Sequence, residues 1–228
     1  MEKVNRWKSA QGYERKHWEG FIAGTLRAGE QFWLDLWDAQ GKFLQDMLGQ
    51  FIKITQRTRI LEIGGGAIGV IRWFKKGKLY ALDPLGDLFE ASFPGLPLAD
   101  YELRQDVKYI VAPAEEAGAL GIGQFDLVLM FDCLDHCRSP RLVLRSIHSL
   151  LKPKGLLLES TTAFHEPIIP SSEYAKYHLW FWTKEELRQA ISSCGFQLLS
   201  EWEEWPVHPG FREPGANSDQ VLHLWGKG

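Results

Sequence analysis

Cysteine is scarce in this 228-residue sequence: Cys133, Cys137 and Cys194 form an odd, unframed set, which supplies no disulfide scaffold and suits a reducing compartment. Long apolar runs are also missing. No stretch approaches the roughly 18 residues of a membrane-spanning helix, and Met1 to Gly20 mixes Glu, Lys, Arg and His among its aromatics. Neither a membrane span nor a signal peptide is therefore expected, and the expected location is cytoplasmic. Charge of one sign is lacking too. With a formal net charge of −3 and its Lys and Arg scattered, the chain has no basic field for a phosphate backbone, so nucleic acid is not an expected partner. Asparagine occurs only at Asn5 and Asn217. What remains is an ordinary globular composition, long enough for one well-packed domain with an accessory element.

Tryptophan, by contrast, is abundant and unevenly placed. Trp7, Trp18, Trp33 and Trp37 precede the first strand signal, Trp180, Trp182, Trp202, Trp205 and Trp225 lie near the end, and Trp73 alone falls between.

Residues 13–53 read as two or three helices, because Phe32, Trp33, Leu36, Trp37, Phe43, Leu44, Met47, Leu48 and Phe51 recur at spacings of three and four. A helical extension over 1–57 thus precedes the main domain, 58–228. Residues 58–63 are a short apolar strand ending at Gly64-Gly65-Gly66, with Val70 to Lys75 as the opening of a helix. Further strands are expected at 78–82, 107–111, 125–130 and 156–159, the one at 125–130 apolar enough to be buried on both faces. Helices are expected at 140–151 and at 183–194, where Thr183 and Glu186 form a Thr-x-x-Glu capping box and Gly195 ends the helix. Two closing strands, 196–202 and 220–225, are joined by a loop alone and should be antiparallel. The alternation predicts an α/β fold with a mostly parallel seven-stranded sheet, helices on both faces and an antiparallel C-terminal pair.

Gly64 to Gly69 literally satisfies G-x-G-x-x-G between a strand and a helix, so a dinucleotide site and an NAD-dependent oxidoreductase must be weighed. Glu62 argues otherwise. A carboxylate at the strand's mouth repels a pyrophosphate and suits an ammonium group. Asp83, ending the next strand, can accept both hydroxyls of an adenosine ribose, which serves either cofactor.

LEIGGG (61–66), the acid of ALDP (Asp83), VAPAEE (111–116), FDLVLMFDCLDHCRSP (125–140) and LLKPKGLLLES (150–160) together resemble the class I S-adenosylmethionine-dependent methyltransferases. The likeness spans about Thr58 to Cys194. It implies a Rossmann-like fold and S-adenosylmethionine as cofactor. The implied cofactor-binding set is Glu62, Gly64, Gly65 and Gly66 around the methionine portion, Asp83 and Pro84 at the ribose, Pro113, Ala114 and Glu115 against the adenine, and Met130 and Phe131 near the sulfonium. The sequence departs from the pattern at Ile68, where a third glycine would fall, and at Pro113, where an acid would meet the adenine amino group.

Methyl transfer is an in-line displacement for which alignment in a water-poor pocket supplies much of the rate. A hydroxyl acceptor must also lose a proton. His136, just past the fourth strand, is the leading candidate base, with His165, past the fifth, as a second and His178 as a further one. The family's amino-methylating Asn-Pro-Pro-Tyr sequence is missing, which points to oxygen or carbon as the acceptor atom. The expected activity is methyl transfer to a small-molecule acceptor, an oxygen of a sugar or secondary-metabolite intermediate, and the segment Ser171 to Trp182 is expected to cover the site. Asp132, Cys133, Asp135, His136 and Cys137 resemble metal ligands in type, but no second cluster completes a site, so no metal is expected. A third reading is a degenerate methyltransferase-like domain used in assembly. Oligomeric state leaves no signal in the sequence.

Overall fold

The computed structural model describes residues 2–169, 174–203, 205–206 and 218–228. Helix α1 (Glu2–Phe21) runs into a π-helical turn, Ile22–Leu26, and then α2 (Gln31–Leu48). α1 begins well before residue 13, the start expected from periodicity. Its first half has no apolar stripe to read, and distant partners tie it down instead. Arg6 donates to the carbonyls of Ala175 and His178, and Arg15 to the Asp87 carboxylate.

The sheet is built from β1 (Arg59–Ile63), β2 (Lys78–Asp83), β3 (Lys108–Val111), β4 (Phe125–Phe131), β5 (Leu151–Phe164), β7 (Phe196–Trp202) and β8 (Ser218–Lys227). They lie side by side in the order β3-β2-β1-β4-β5-β8-β7. The first five are parallel, and β8 runs antiparallel to both β5 and β7. An eighth, two-residue strand, β6 (Trp182–Thr183), pairs with the end of β5. Two residues carry no periodicity, so the expectation of seven strands falls one short.

Alternate residues of each strand feed two cores. Ile60, Leu79, Leu127, Leu129, Leu158 and Leu222 face Leu44, Met47 and Leu48 of α2 and Phe89 of α3 (Gly86–Ser92). Leu61, Ile63, Val128, Met130 and Leu157 face α4 (Pro140–Leu150) and α6 (Lys184–Ser192) through Val143, Ile147, Leu187 and Ile191. Each such fully buried aliphatic side chain contributes on the order of 1.5–3 kcal/mol. The capping box starts α6 as expected, with the Thr183 side chain accepting from the Glu186 amide. One four-residue helix, α5 (Tyr174–Tyr177), lies against α1. No described helix is long and apolar enough to cross a membrane.

The largest departure from expectation follows β1. Instead of a helix opening at Val70, a single 3-10 turn, Val70–Trp73, leads to β2. It ends at the extended Phe74, and Lys75-Lys76-Gly77 then turns into β2, Gly77 taking φ 115°. Helix α2 then covers this turn: Gly41 leaves the space in which the buried Trp73 ring sits, and a Cβ there would lie 2.5 Å from Trp73 Cγ. The order of strands reverses between β1 and β4, and the carboxyl ends on either side of that point open a crevice, the usual ligand position in such sheets.

Gly41→Ala should therefore cost about 1–3 kcal/mol by overpacking, read as a lowered urea midpoint. Gly12→Ala on α1, whose Cβ would meet nothing within 4 Å, should be neutral or stabilising by up to about 1 kcal/mol. Equal effects at the two glycines would contradict this packing.

Candidate active site

A cavity of about 530 Å³ opens at the carboxyl ends of β1, β2 and β4 and is roofed by α1, α2 and α5. Gly64 and Gly66 form its floor with φ of 72° and 62°, a left-handed conformation that side chains rarely adopt. Neighbours fill the space that side chains would need: Cys133 lies against Gly64, and a Cβ on Gly66 would stand 2.7 Å from the Trp18 ring. The sequence thus needs glycine here for close approach as well as for backbone freedom.

Glu62 is 1% exposed and turns inward. Its two carboxylate oxygens accept the amides of Val70 at 3.0 Å and Ile71 at 3.2 Å. The carboxylate expected at the strand's mouth is thus fixed in place, and the side chain ties the glycine bend closed while lining the cavity. Gly69 has no side chain because that carboxylate packs directly against it. The same contacts answer the G-x-G-x-x-G ambiguity. In a dinucleotide site the amides at the helix start face a pyrophosphate, whereas here the Glu62 side chain already holds them. Burial pushes the Glu62 pKa up to about 7, against the two amide hydrogen bonds.

Asp83 ends β2, 7% exposed, and its Oδ1 accepts the Leu85 amide at 2.8 Å. Burial raises its pKa to about 6. Pro84 lines the cavity beside it, as do Gly64, Gly65, Gly66 and Phe131. Pro113, Ala114 and Glu115 lie in an adjoining narrow crevice of about 40 Å³ under Trp7, which shares Gly64, Pro84, Cys133 and His136 with the main cavity. The Glu115 carboxylate is engaged there, accepting the Ser139 amide at 3.1 Å with Arg138 Nε 3.7 Å away. Met130 does not reach the cavity. Its side chain is buried in the core on the opposite face of the sheet, as strand alternation requires.

The histidines divide. His136 lines the cavity, with Nδ1 3.1 Å from Glu14 Oε1 and Nε2 3.9 Å from Asp135 Oδ1. Burial opposes charge on this ring, yet Asp135 and Glu14 together outweigh it and raise the pKa to about 10. An imidazole that already holds its proton at neutral pH is not the free base expected from the sequence. His165 is half-exposed past β5, paired at 2.6 Å with Asp219, and is not among the described cavity residues. His178 is, with Nδ1 2.7 Å from Asp135 Oδ2.

Several cavity residues escaped the sequence reading. Gln11, Glu14, Trp18 and Phe21 project from α1, and their spacing of three and four residues was the available signal. Asp132, at the end of β4, takes φ 44° and receives a hydrogen bond from Gln220 Nε2 on β8. Burial, and then Asp135, push its pKa up to about 7. Of the expected cover, Tyr174, Tyr177 and His178 line the cavity, while Ser171 to Glu173 lie outside the described residues. Among the described lining residues are the carboxylates of Glu14, Glu62, Asp83 and Asp132, and no Lys or Arg.

A family model described as a methyltransferase domain matches residues 36–201. The chain belongs to that family. Its motifs resemble those of the class I S-adenosylmethionine-dependent methyltransferases. Among curated proteins, the ubiquinone biosynthesis O-methyltransferase of Bordetella avium is 31% identical over 122 residues, 53% of this chain and 47% of that protein. The chain thus spans about half the length of that relative. Among solved structures, the 1,6-didemethyltoxoflavin-N1-methyltransferase of Burkholderia thailandensis is similar with a TM-score of 0.59 at 20% identity, over 95% of this chain and 89% of that one. Geranyl diphosphate C-methyltransferase from Streptomyces coelicolor is similar with a TM-score of 0.63 at 14% identity, over 84% and 79%. At these identities both show the fold.

A described lining with four carboxyl groups and no Lys or Arg disfavours a phosphate-bearing ligand, and Asp83 presents a buried acceptor at the end of its strand.

Because the folded pKa of Glu62 exceeds its ordinary 4.5, the folded chain keeps a proton that the unfolded chain releases, and stability falls as pH rises through that window. The stability of Glu62→Gln relative to the native chain should accordingly increase between about pH 5 and about pH 8, measured by urea unfolding. A pH-independent difference would contradict the burial of a titrating carboxylate.

Proposed function

We propose that this methyltransferase methylates a hydroxyl oxygen on a neutral, ring-bearing small molecule. The observation that carries this reading is the chemistry of the chamber beside Gly64–Gly66. Trp18, Phe21, Trp33, Trp37, Phe131 and Trp205 line it, with Phe21 edge-on to Trp33 at 5.0 Å and Phe131 tilted against Trp205 at 5.5 Å between ring centroids. Such walls favour a flat ring by stacking and burial; the described lining holds no Lys or Arg, and the protonated imidazole of His136 already faces Glu14 and Asp135, which leaves little counter-charge for a phosphorylated or carboxylated acceptor. Kinship with ubiquinone biosynthesis O-methyltransferases supports an oxygen acceptor.

Within this reading Asp83 holds the ribose of the donor, Pro84 and Phe131 flank it, and Pro113 and Ala114 receive the adenine through backbone and apolar contact. Glu62 keeps the glycine bend in shape. S-adenosylmethionine supplies an activated methyl group on a sulfonium whose charge is lost in the transfer. The chain's own contribution is alignment and dryness: α1 and α2, within residues 1–57, act as the cover over the domain at 58–228, and their rings exclude water from the transfer path. Asp132 is the carboxylate that takes the acceptor hydroxyl's proton, since it lines the chamber and is oriented by Gln220.

Labelled S-adenosylmethionine offered with phenolic and sugar acceptors, neutral or phosphorylated, tests the acceptor class. Transfer should be confined to neutral members, and preferential transfer to phosphorylated ones would overturn the reading. Asp83→Ala should abolish donor binding in calorimetry with the circular dichroism spectrum retained. Asp132→Asn should leave donor affinity unchanged and lower turnover by about 10²–10⁴-fold. Full turnover in Asp132→Asn, or unchanged donor affinity in Asp83→Ala, would remove that residue from its role.

A further inference from the structure

The loop after β4 carries a side-chain cluster that methyl transfer as described leaves unused. Asp135 is 4% exposed, and its Oδ2 accepts from His178 while its Oδ1 is buried without a hydrogen-bond partner. A buried carboxylate oxygen with no partner costs free energy unless something else satisfies it. The group facing that oxygen is His136 Nε2, 3.9 Å away and too far for a hydrogen bond. Each of Asp135, His136 and His178 offers one ligand atom, and the three atoms lie within 4.8 Å of one another.

We propose that Asp135, His136 and His178 form a binding site for one divalent transition-metal ion, with an open coordination position toward the acceptor chamber. The spacing fits an ion, because ligand bonds of roughly 2.0–2.2 Å to N and O donors can bridge two atoms 3.9 Å apart. Two imidazoles and one carboxylate suit zinc, iron, cobalt or nickel rather than magnesium or calcium, which prefer all-oxygen shells. Glu14 completes the arrangement from outside. Its carboxylate accepts from His136 Nδ1 at 3.1 Å, which fixes the ring so that Nε2 presents its lone pair to the ion, the usual carboxylate–histidine–metal relay. On binding, the ion takes the place of the Nε2 proton, which leaves to solvent.

The site is assembled from distant parts of the chain, which explains why the loop's sequence alone argued against a metal. The completing ligand, His178, follows α5. The Asp135 carbonyl holds that segment by accepting the amides of Leu179 at 2.8 Å and Trp180 at 3.2 Å. Tyr174 stacks on the His178 ring at 3.8 Å between centroids, opposite a His136 ring 4.3 Å away. Because His136 and His178 also line the chamber, an ion with three protein ligands can take an acceptor oxygen as its next ligand and ease loss of that oxygen's proton.

The test uses the full chain, freed of metal with a chelator and titrated with Co²⁺ alone. Expected are one bound ion per chain by elemental analysis, a visible ligand-field band and a raised thermal midpoint. His178→Phe, which preserves the ring stack on Tyr174, and Asp135→Asn should each lose the band while keeping the native circular dichroism spectrum. Glu14→Gln should weaken binding about 10–100-fold with the band retained at saturation. Absence of saturable Co²⁺ binding by the native chain would overturn the site. Binding that His178→Phe and Asp135→Asn leave unchanged would overturn it equally, and the cluster would then be an ion-pair latch between α1, the β4 loop and α5.

Discussion

A buried glutamate side chain closed on two backbone amides sets the form of this candidate site. Glu62 leaves β1 on the chamber side of the sheet, and its hold on Val70 and Ile71 turns the glycine bend into a compact 3-10 turn. Short as it is, that connection leaves part of this sheet face for other elements to cover. Helices α1 and α2 do so, with Gly41 of α2 against Trp73 and Trp18 of α1 against Gly66. One polar contact in the interior thus decides where the cavity's floor lies and which helices roof it.

The chamber's electrostatics follow from the same arrangement. Carboxyl groups come from both the roof and the strand ends, and the described lining holds histidines but no lysine or arginine. Such a lining disfavours an anionic ligand. The tryptophans that the sequence distributes to its two ends converge here: Trp18, Trp33 and Trp37 come from the helical extension and Trp205 from beyond β7. Trp73, Trp202 and Trp225 are instead used in packing.

Much of the fold was legible because its signals are local. The apolar run Phe125–Met130, the capping box at Thr183 and the turns at Gly64 and Asp83 each declare an element without reference to the rest of the chain. The site was legible only in its backbone-defined half. Asp83, Pro84 and the glycines sit where strand ends place them, but a side chain's direction depends on its partners. Glu62 turns inward because two amides await it, and Met130 faces away because of strand parity. The proton on His136 is held by Glu14, more than a hundred residues earlier. His165 looked equivalent to His136 by position after a strand, yet β5 extends to Phe164 and carries it to Asp219. Helix α1 supplies much of the roof and is the element whose polar surface concealed it best.

The central claim is that a donor bound on Asp83 and the glycine bend delivers its methyl group into the aromatic chamber. A crystal structure with S-adenosylhomocysteine measures this directly. The account predicts ribose hydroxyls on the Asp83 carboxylate, adenine beside Pro113 and Ala114, and the sulfur facing Phe131 and Asp132. A sulfur directed away from that chamber, or a ribose held elsewhere than at Asp83, would contradict it.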